Sequence, residues 1–347
     1  MDIKKILLEK NFIKEIKELS FEETLQIPSN EEIRYLNNIS LYRVFKLFIK
    51  RYLVNFINFF LNKKINYDKE RSVENVKAKY EQIAGSYIEY FYNEEKKIDN
   101  FTAYNHFEKK IYSIKGERSI DPPINVISKF CNHHNIKSLI EIGAGELTTL
   151  YPIIKKTDNI NFISALDLSP NRLRSGNEFL NKNGHSINHL IACDASNIPY
   201  KDNSFDLVFT QYCIEQVPLL AKKIIDEMIR ISSKYIIIIE PTYEFSNRIT
   251  RNRILLKGFP ILKKSHFKNK SSKIIYRDGL PFTRFELYAE LTILEKNNKF
   301  DGKPVLCHPL NKQKIELNNE FITYGKDKIK IKEGIIDLFD LLKNNKP

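Results

Sequence analysis

From residue 138 onward the chain alternates two patterns of apolar and polar positions. Short apolar, β-branched runs occupy residues 139–142, 161–166, 189–193, 205–210 and 235–239, and a last one covers 287–295. Between them, residues 147–155, 170–181 and 218–232 carry apolar side chains at the three-to-four spacing of a helix with one buried face. Apolar strands joined by helices form a parallel sheet covered on both sides, so the pattern predicts a doubly wound α/β fold. In such sheets ligands sit at the carboxyl ends of the strands.

The flanks read differently. Residues 1–75 look like a helical extension. Within it, residues 37–64 place Arg43, Lys46, Lys50, Arg51, Asn55, Asn58 and Asn62 at helical spacing among Leu41, Val44, Phe45, Phe48, Tyr52, Leu53, Phe56, Ile57 and Phe60. This is an amphipathic helix with a broad aromatic face and a basic edge. It reads either as a helix packed on its own domain or on a partner, or as one lying on a membrane surface. Residues 76–135 continue mostly helical, broken at Asp121-Pro-Pro-Ile124 before a helix over 124–135. Residues 297–302 read as a linker and 297–347 as a small β-rich unit. The expected division is thus 1–75, then 76–296, then 297–347. The middle unit has a cap (76–135), a core (136–245), a basic lid (246–277) and the last strands (278–296).

Charge and cysteine usage refine this picture. The net charge is +13, and between Phe245 and Asp278 stand ten Lys or Arg and no acid. A one-signed patch raises the local concentration of anions. The four cysteines have no paired spacing and read as reduced thiols. With no signal-peptide pattern and no apolar run of transmembrane length, the expected location is cytoplasmic or peripheral to the inner face of the membrane. His133 and His134 have no carboxylate or thiol at metal spacing, and no metal site is expected.

The residues at the strand ends carry the candidate chemistry. Glu141 stands in the first strand, and Gly143-Ala144-Gly145 follow it as a tight turn leading into a helix. Such a turn brings backbone N–H groups close to a ligand. Asp167 and Leu168 follow the second strand, Asp194 and Ala195 the third, and Thr210 and Gln211 end the fourth. A carboxylate after the second strand suits the two hydroxyls of a ribose. Asp194 could accept from an exocyclic amine, with the Ala195 N–H facing a ring nitrogen. Any one of these acids could be only a helix cap, as Asp167 before Pro170 could be. A dinucleotide fingerprint would want glycine where Thr148 stands.

Glu141-Ile-Gly-Ala-Gly-Glu, Ala165-Leu-Asp-Leu-Ser-Pro-Asn-Arg-Leu173, the stretch from Cys193-Asp-Ala to Phe205-Asp-Leu-Val-Phe209, and Glu215-Gln-Val217 resemble the motifs of class I S-adenosylmethionine-dependent methyltransferases, of the type-11 group. The resemblance covers roughly residues 138–241. It implies a Rossmann-like seven-stranded sheet with S-adenosylmethionine across its strand ends. Glu141 and the glycine turn would hold the methionine part, Asp167 the ribose, and Asp194 with Ala195 the adenine. Tyr80 and Tyr87, in Lys79-Tyr-Glu-Gln-Ile-Ala-Gly-Ser-Tyr87, look like the aromatic segment that caps the cofactor. Leu147 stands where the family often has a third glycine.

The acceptor is narrowed by absences. Nitrogen methylases of this class usually carry Asp/Asn-Pro-Pro-Tyr/Phe after the fourth strand, where Thr210-Gln-Tyr-Cys-Ile-Glu215 stands here. Cys213 lacks the context of a carbon-methylase nucleophile. An oxygen acceptor is therefore expected, with Glu215 or Tyr212 as proton acceptor. Arg248, Arg251, Arg253 and Lys257 of the basic lid are the candidate substrate contacts, for an anionic or a lipid- or glycan-linked molecule. RNA is less favoured because aromatics for base stacking are sparse there. The tail resembles the zinc-ribbon-like domain that accompanies some methyltransferases, but Cys307 alone remains of its zinc ligands, and no zinc is expected. An inactive subunit that scaffolds a partner is the reading from another class.

Overall fold

Every residue of Ser138–Ile142 is buried, as a strand covered on both faces requires. The computed structural model describes residues 2–10, 13, 15–61, 71–93, 101–115, 118–296, 298, 303–318, 320–324 and 327–339. The expected linker at 297–302, apart from Asn298, lies outside the described residues. So do residues 62–64 of the amphipathic stretch and 340–347 of the tail, as do the side chains of Arg51, Tyr52, Asn55, Phe56, Ile57, Asn58 and Phe60.

The large sheet is built from β1 (Ser138–Ile142), β2 (Phe162–Asp167), β3 (His189–Ala192), β4 (Phe205–Gln211), β5 (Ser232–Pro241), β6 (Lys273–Gly279), β7 (Ala289–Glu295) and β8 (Ile335–Asp337), in the order β8-β3-β2-β1-β4-β5-β7-β6. β1 to β5 run parallel, and β7 turns antiparallel between β5 and β6. Successive side chains of a strand face opposite sides. Ile140 and Ile142 therefore enter one core with Ile236, Ile238 and the helix Ala221–Ile231, whereas Leu139 enters the other with Phe209, Ile237 and the helix Asp121–His133. Each fully buried side chain of this size contributes about 1.5–3 kcal/mol. The strand order reverses between β1 and β4, which opens a crevice at their carboxyl ends.

Four sequence expectations change. The sheet has eight strands rather than seven, because the tail returns Ile335–Asp337 parallel to β3. Its three pairs of residues were too short a run to stand out as a strand of the core. The rest of the tail forms the three-stranded sheet of Glu316–Leu317, Phe321–Tyr324 and Asp327–Lys330.

Residues 1–75 and 76–135 are not helical throughout. Glu15–Leu19, Lys110–Lys115, Phe101–Asn105 and Thr283–Arg284 form a four-stranded antiparallel sheet in that order. Alternation buries Tyr112 and Ile114 on one face of it. Its strands come from three distant parts of the chain, so no local period announced them.

The Asp121-Pro-Pro segment opens a helix instead of breaking one. Both prolines sit in its first turn, where no N–H is needed.

The basic segment is the helix Arg248–Lys257, a short turn at Lys264–Phe267 and then β6, so the last strands begin before 278. The helix Leu41–Leu61 packs against Arg248–Lys257. Among the described residues, no helix is long and apolar enough to cross a membrane.

Candidate active site

The crevice encloses a cavity of about 430 Å³, within the range of small-molecule sites. Its floor is the turn after β1. Gly143 has φ +77° and Gly145 φ +53°, both in the left-handed region that favours glycine. A Cβ on Gly143 would lie 2.4 Å from Cys213 Sγ, and one on Gly145 would lie 2.5 Å from Arg172 Nη2. These glycines thus let the ends of β1 and β4 close on each other and admit the Arg172 guanidinium. Leu147 also has φ +60° and is fully buried. Its side chain fills the notch over Gly176, where an added Cβ would lie 2.7 Å from Leu147 Cγ. Left-handed backbone costs a non-glycine residue about 1–2 kcal/mol, which that burial offsets.

Asp167 organises the turn. Its Oδ2 accepts from the Gly145 N–H at 2.8 Å and its Oδ1 from the Ser169 N–H at 2.8 Å. Asp194 Oδ1 accepts from the Ser196 N–H at 2.8 Å, which opens the turn Ala195–Asn197. Gly143, Ala144, Gly145, Glu141, Asp167, Leu168, Asp194, Ala195, Gln211, Tyr80 and Tyr87 all line the cavity. Thr210, also expected there, does not. Its hydroxyl donates to Ile142 O at 2.8 Å and ties β4 to β1 beneath the site.

Two residues missed in the sequence hold the cap. Glu146 is fully buried, and its Oε2 accepts the N–H groups of Tyr87 and Ile88 at 3.0 and 2.9 Å. These belong to the first turn of the helix Ser86–Tyr92, so the carboxylate caps a helix from across the fold. Its Oε1 accepts from Arg172 Nε at 3.3 Å, and the Arg172 guanidinium lies over the rings of Tyr80 and Tyr87 at 4.9 and 4.6 Å. The signal was present, since both residues stand in the quoted motifs, but nothing local named their partners.

Glu141 Oε2, Gln211 Oε1 and Glu215 Oε2 are buried without a hydrogen-bond partner among the described residues. Each such group costs about 1–3 kcal/mol, which a ligand can recover. Burial, and then the charge of Asp167, holds the Glu141 carboxyl well above the usual range. A cationic ligand would reverse that penalty. The donor set at the β1–β3 ends, with acids toward a nucleoside that carries positive charge, fits S-adenosylmethionine.

The β4 side has another character. Glu240, at the end of β5, accepts the N–H groups of Cys213, Ile214 and Glu215 at 2.8, 2.8 and 3.1 Å. Burial raises the Glu240 carboxyl and those three bonds pull it back, so of the two carboxyls Glu215 holds a proton more tightly. Burial first and then Glu240 push the Glu215 carboxyl up, against the pull of Arg253 and Arg71. Burial pushes the Tyr212 phenol far up as well, and its hydroxyl donates to Leu287 O at 3.4 Å. Burial, Glu240 and Asp167 raise the Cys213 thiol and keep it protonated.

Of the lid residues, Arg253 and Lys257 line the cavity, but Arg248 and Arg251 do not. Arg248 donates to Asn37, and Arg251 donates to the carbonyls of Tyr243 and Glu244 at 2.9 and 3.1 Å. One helix cannot aim four long side chains at one point when its turns face different neighbours. Arg71, Lys79 and Arg284 line the cavity instead. Arg71 donates to Glu215 O at 3.0 Å and its guanidinium lies 4.9 Å from the Phe259 ring.

A family model described as a methyltransferase domain matches residues 140–235. Among solved structures, the 4+2 cyclase SpnF has TM-score 0.48 at 10% identity, covering 66% of this chain and 98% of its own. A magnesium protoporphyrin IX methyltransferase from Synechocystis, with S-adenosylmethionine bound, has TM-score 0.40 at 11% identity, covering 51% and 80%. A methyltransferase from Aquifex aeolicus, dependent on the same cofactor, has TM-score 0.38 at 16% identity, covering 51% and 89%. Residues 140–235 thus carry a methyltransferase domain, and the strand-end crevice that this stretch builds holds the acids and the glycine turn that fit S-adenosylmethionine.

Proposed function

We propose that the enzyme methylates an oxygen of a small acceptor that carries a negative charge. One observation carries this reading. Arg71, Arg253, Lys257 and Arg284 line the same cavity as Glu215 and Tyr212. Arg71 and Arg253 act on Glu215, and Arg284 acts on Tyr212, so these cations gather on the β4 side, across from the acids at the β2 and β3 ends. The Arg253 guanidinium pairs with Glu32 through Nη1, while its buried Nε has no partner among the described residues and suits an anionic oxygen.

When bound, the cofactor supplies a methyl carbon already activated by its sulfonium. Glu141 and the glycine turn would hold its methionine part, Asp167 its ribose, and Asp194 with Ala195 its adenine. Tyr80 and Tyr87 close the cavity and exclude water. Arg71, Arg253 and Lys257 hold the acceptor's anionic group and fix its approach. Glu215 takes the proton of the acceptor hydroxyl only when it is itself ionised, so methyl transfer should quicken as pH rises through its raised pKa of about 8. A carboxyl raised toward neutrality is a more effective proton acceptor than one near its usual value.

The test is incubation of the protein with labelled cofactor and a small-molecule extract of cells. An acidic, O-methylated product is expected. A labelled product that is N-methylated, or carried by RNA, would refute this reading. Glu215→Gln should lower kcat by about 10²–10⁴-fold while S-adenosylhomocysteine binds as before.

A further inference from the structure

Over residues 41–50 and at Leu53, the helix Leu41–Leu61 turns an apolar face outward. Leu41, Tyr42, Phe45, Phe48, Ile49 and Leu53 share one face at helical spacing and are 77, 73, 60, 45, 40 and 51% exposed. Val44, at 5%, is buried beside that stripe, and the helix packs against Arg248–Lys257. A helix that served only its own domain would turn that stripe inward. The exposed basic residues Arg43, Lys46 and Lys50 follow one edge of the stripe. No acid occurs between Glu32 and Asp68.

We propose that this helix docks the protein on an anionic membrane surface, lying in the plane of the interface. An apolar stripe edged by Lys and Arg is the pattern that buries its apolar side chains at the headgroup boundary while its cations meet lipid phosphates. Charge also argues against a second copy as the occupant. Two such faces brought together would oppose like-charged edges over a segment with no acid to pair them. The docking helix rests on the helix that carries Arg253 and Lys257 into the cavity wall. The docking stands apart from the identity of the methyl acceptor.

The experiment is co-sedimentation of the full chain with vesicles of phosphatidylcholine alone and of phosphatidylcholine mixed with phosphatidylglycerol. Binding to the anionic vesicles is expected, weakened by salt, with little binding to the neutral ones. The variant Phe45→Glu/Phe48→Glu/Leu53→Glu changes exposed positions. It should keep its melting temperature and its S-adenosylhomocysteine affinity, yet lose about tenfold or more in vesicle affinity. Arg43→Glu/Lys46→Glu should lose about tenfold on the anionic vesicles only. Three results would overturn the proposal: no binding to anionic vesicles, undiminished binding by the triple variant, or equal binding to both vesicle types. A wild-type dimer in light scattering that the triple variant dissolves would also overturn it, making the stripe a contact between copies.

Discussion

Glu146→Gln is the sharpest test of how the cap is held. The substitution keeps the shape of the side chain and removes its charge. The carboxylate accepts two backbone N–H bonds from the helix Ser86–Tyr92 and one from Arg172. A hydrogen bond to a charged group contributes about 1.5–3 kcal/mol and a neutral one about 0.5–1.5. The two backbone bonds together should weaken by about 2 kcal/mol, and the Arg172 contact by about 1 kcal/mol more. Arg172 keeps the charge of Asp167 nearby, which limits the loss. For a chain of 347 residues, about 3 kcal/mol corresponds to a melting temperature lower by about 4 °C. Because Tyr80 and Tyr87 line the cavity from this cap, the affinity for S-adenosylhomocysteine should fall by about tenfold or more in a calorimetric titration. A melting temperature within about 1 °C of wild type, with unchanged affinity, would show that the cap is held by something other than Glu146.

Three further outcomes are expected. Asp167→Ala removes the acceptor of the Gly145 and Ser169 N–H groups and should weaken S-adenosylhomocysteine binding by about 1.5–3 kcal/mol; equal affinities by titration would remove Asp167 from the cofactor site. Gly143→Ala combines positive φ with a clash on Cys213 and should cost about 2–4 kcal/mol, whereas Gly184→Ala, with φ +75° and open space, should cost only about 1–2; equal losses in thermal melts would refute the close approach. Glu215, buried beside Glu240, has its folded-state pKa above its unfolded value. Between those two values the folded state holds the extra proton, so stability falls as pH rises through that window, by up to about 1.4 kcal/mol per unit. Glu215→Gln should flatten the slope of melting temperature against pH; an unchanged slope would place that proton elsewhere.

The legible part of this protein was its local part. Each apolar run and the residue ending it are neighbours in sequence, so Glu141, the glycine turn, Asp167 and Asp194 could be placed at strand ends before any pairing was known. Thr210 shows the limit. The strand end was found, but which way its hydroxyl turned depended on Ile142 of the adjacent strand. The lid shows it again. Ten basic residues were visible as a cluster, yet only contacts with Asn37, Tyr243 and Glu244 turn Arg248 and Arg251 away from the cavity.

By itself, then, the chain's pattern determined the doubly wound core and the order of its strand-end motifs, and the resemblance of those motifs to methyltransferases implied the cofactor. Strand and helix periods and turn chemistry are set within a few residues. Tertiary structure alone decided what meets across the cavity. The Glu146 carboxylate finds the Tyr87 N–H 59 residues away, and Arg71 reaches Glu215 across 144. Such meetings depend on how the chain closes its long loops, for which no local period exists.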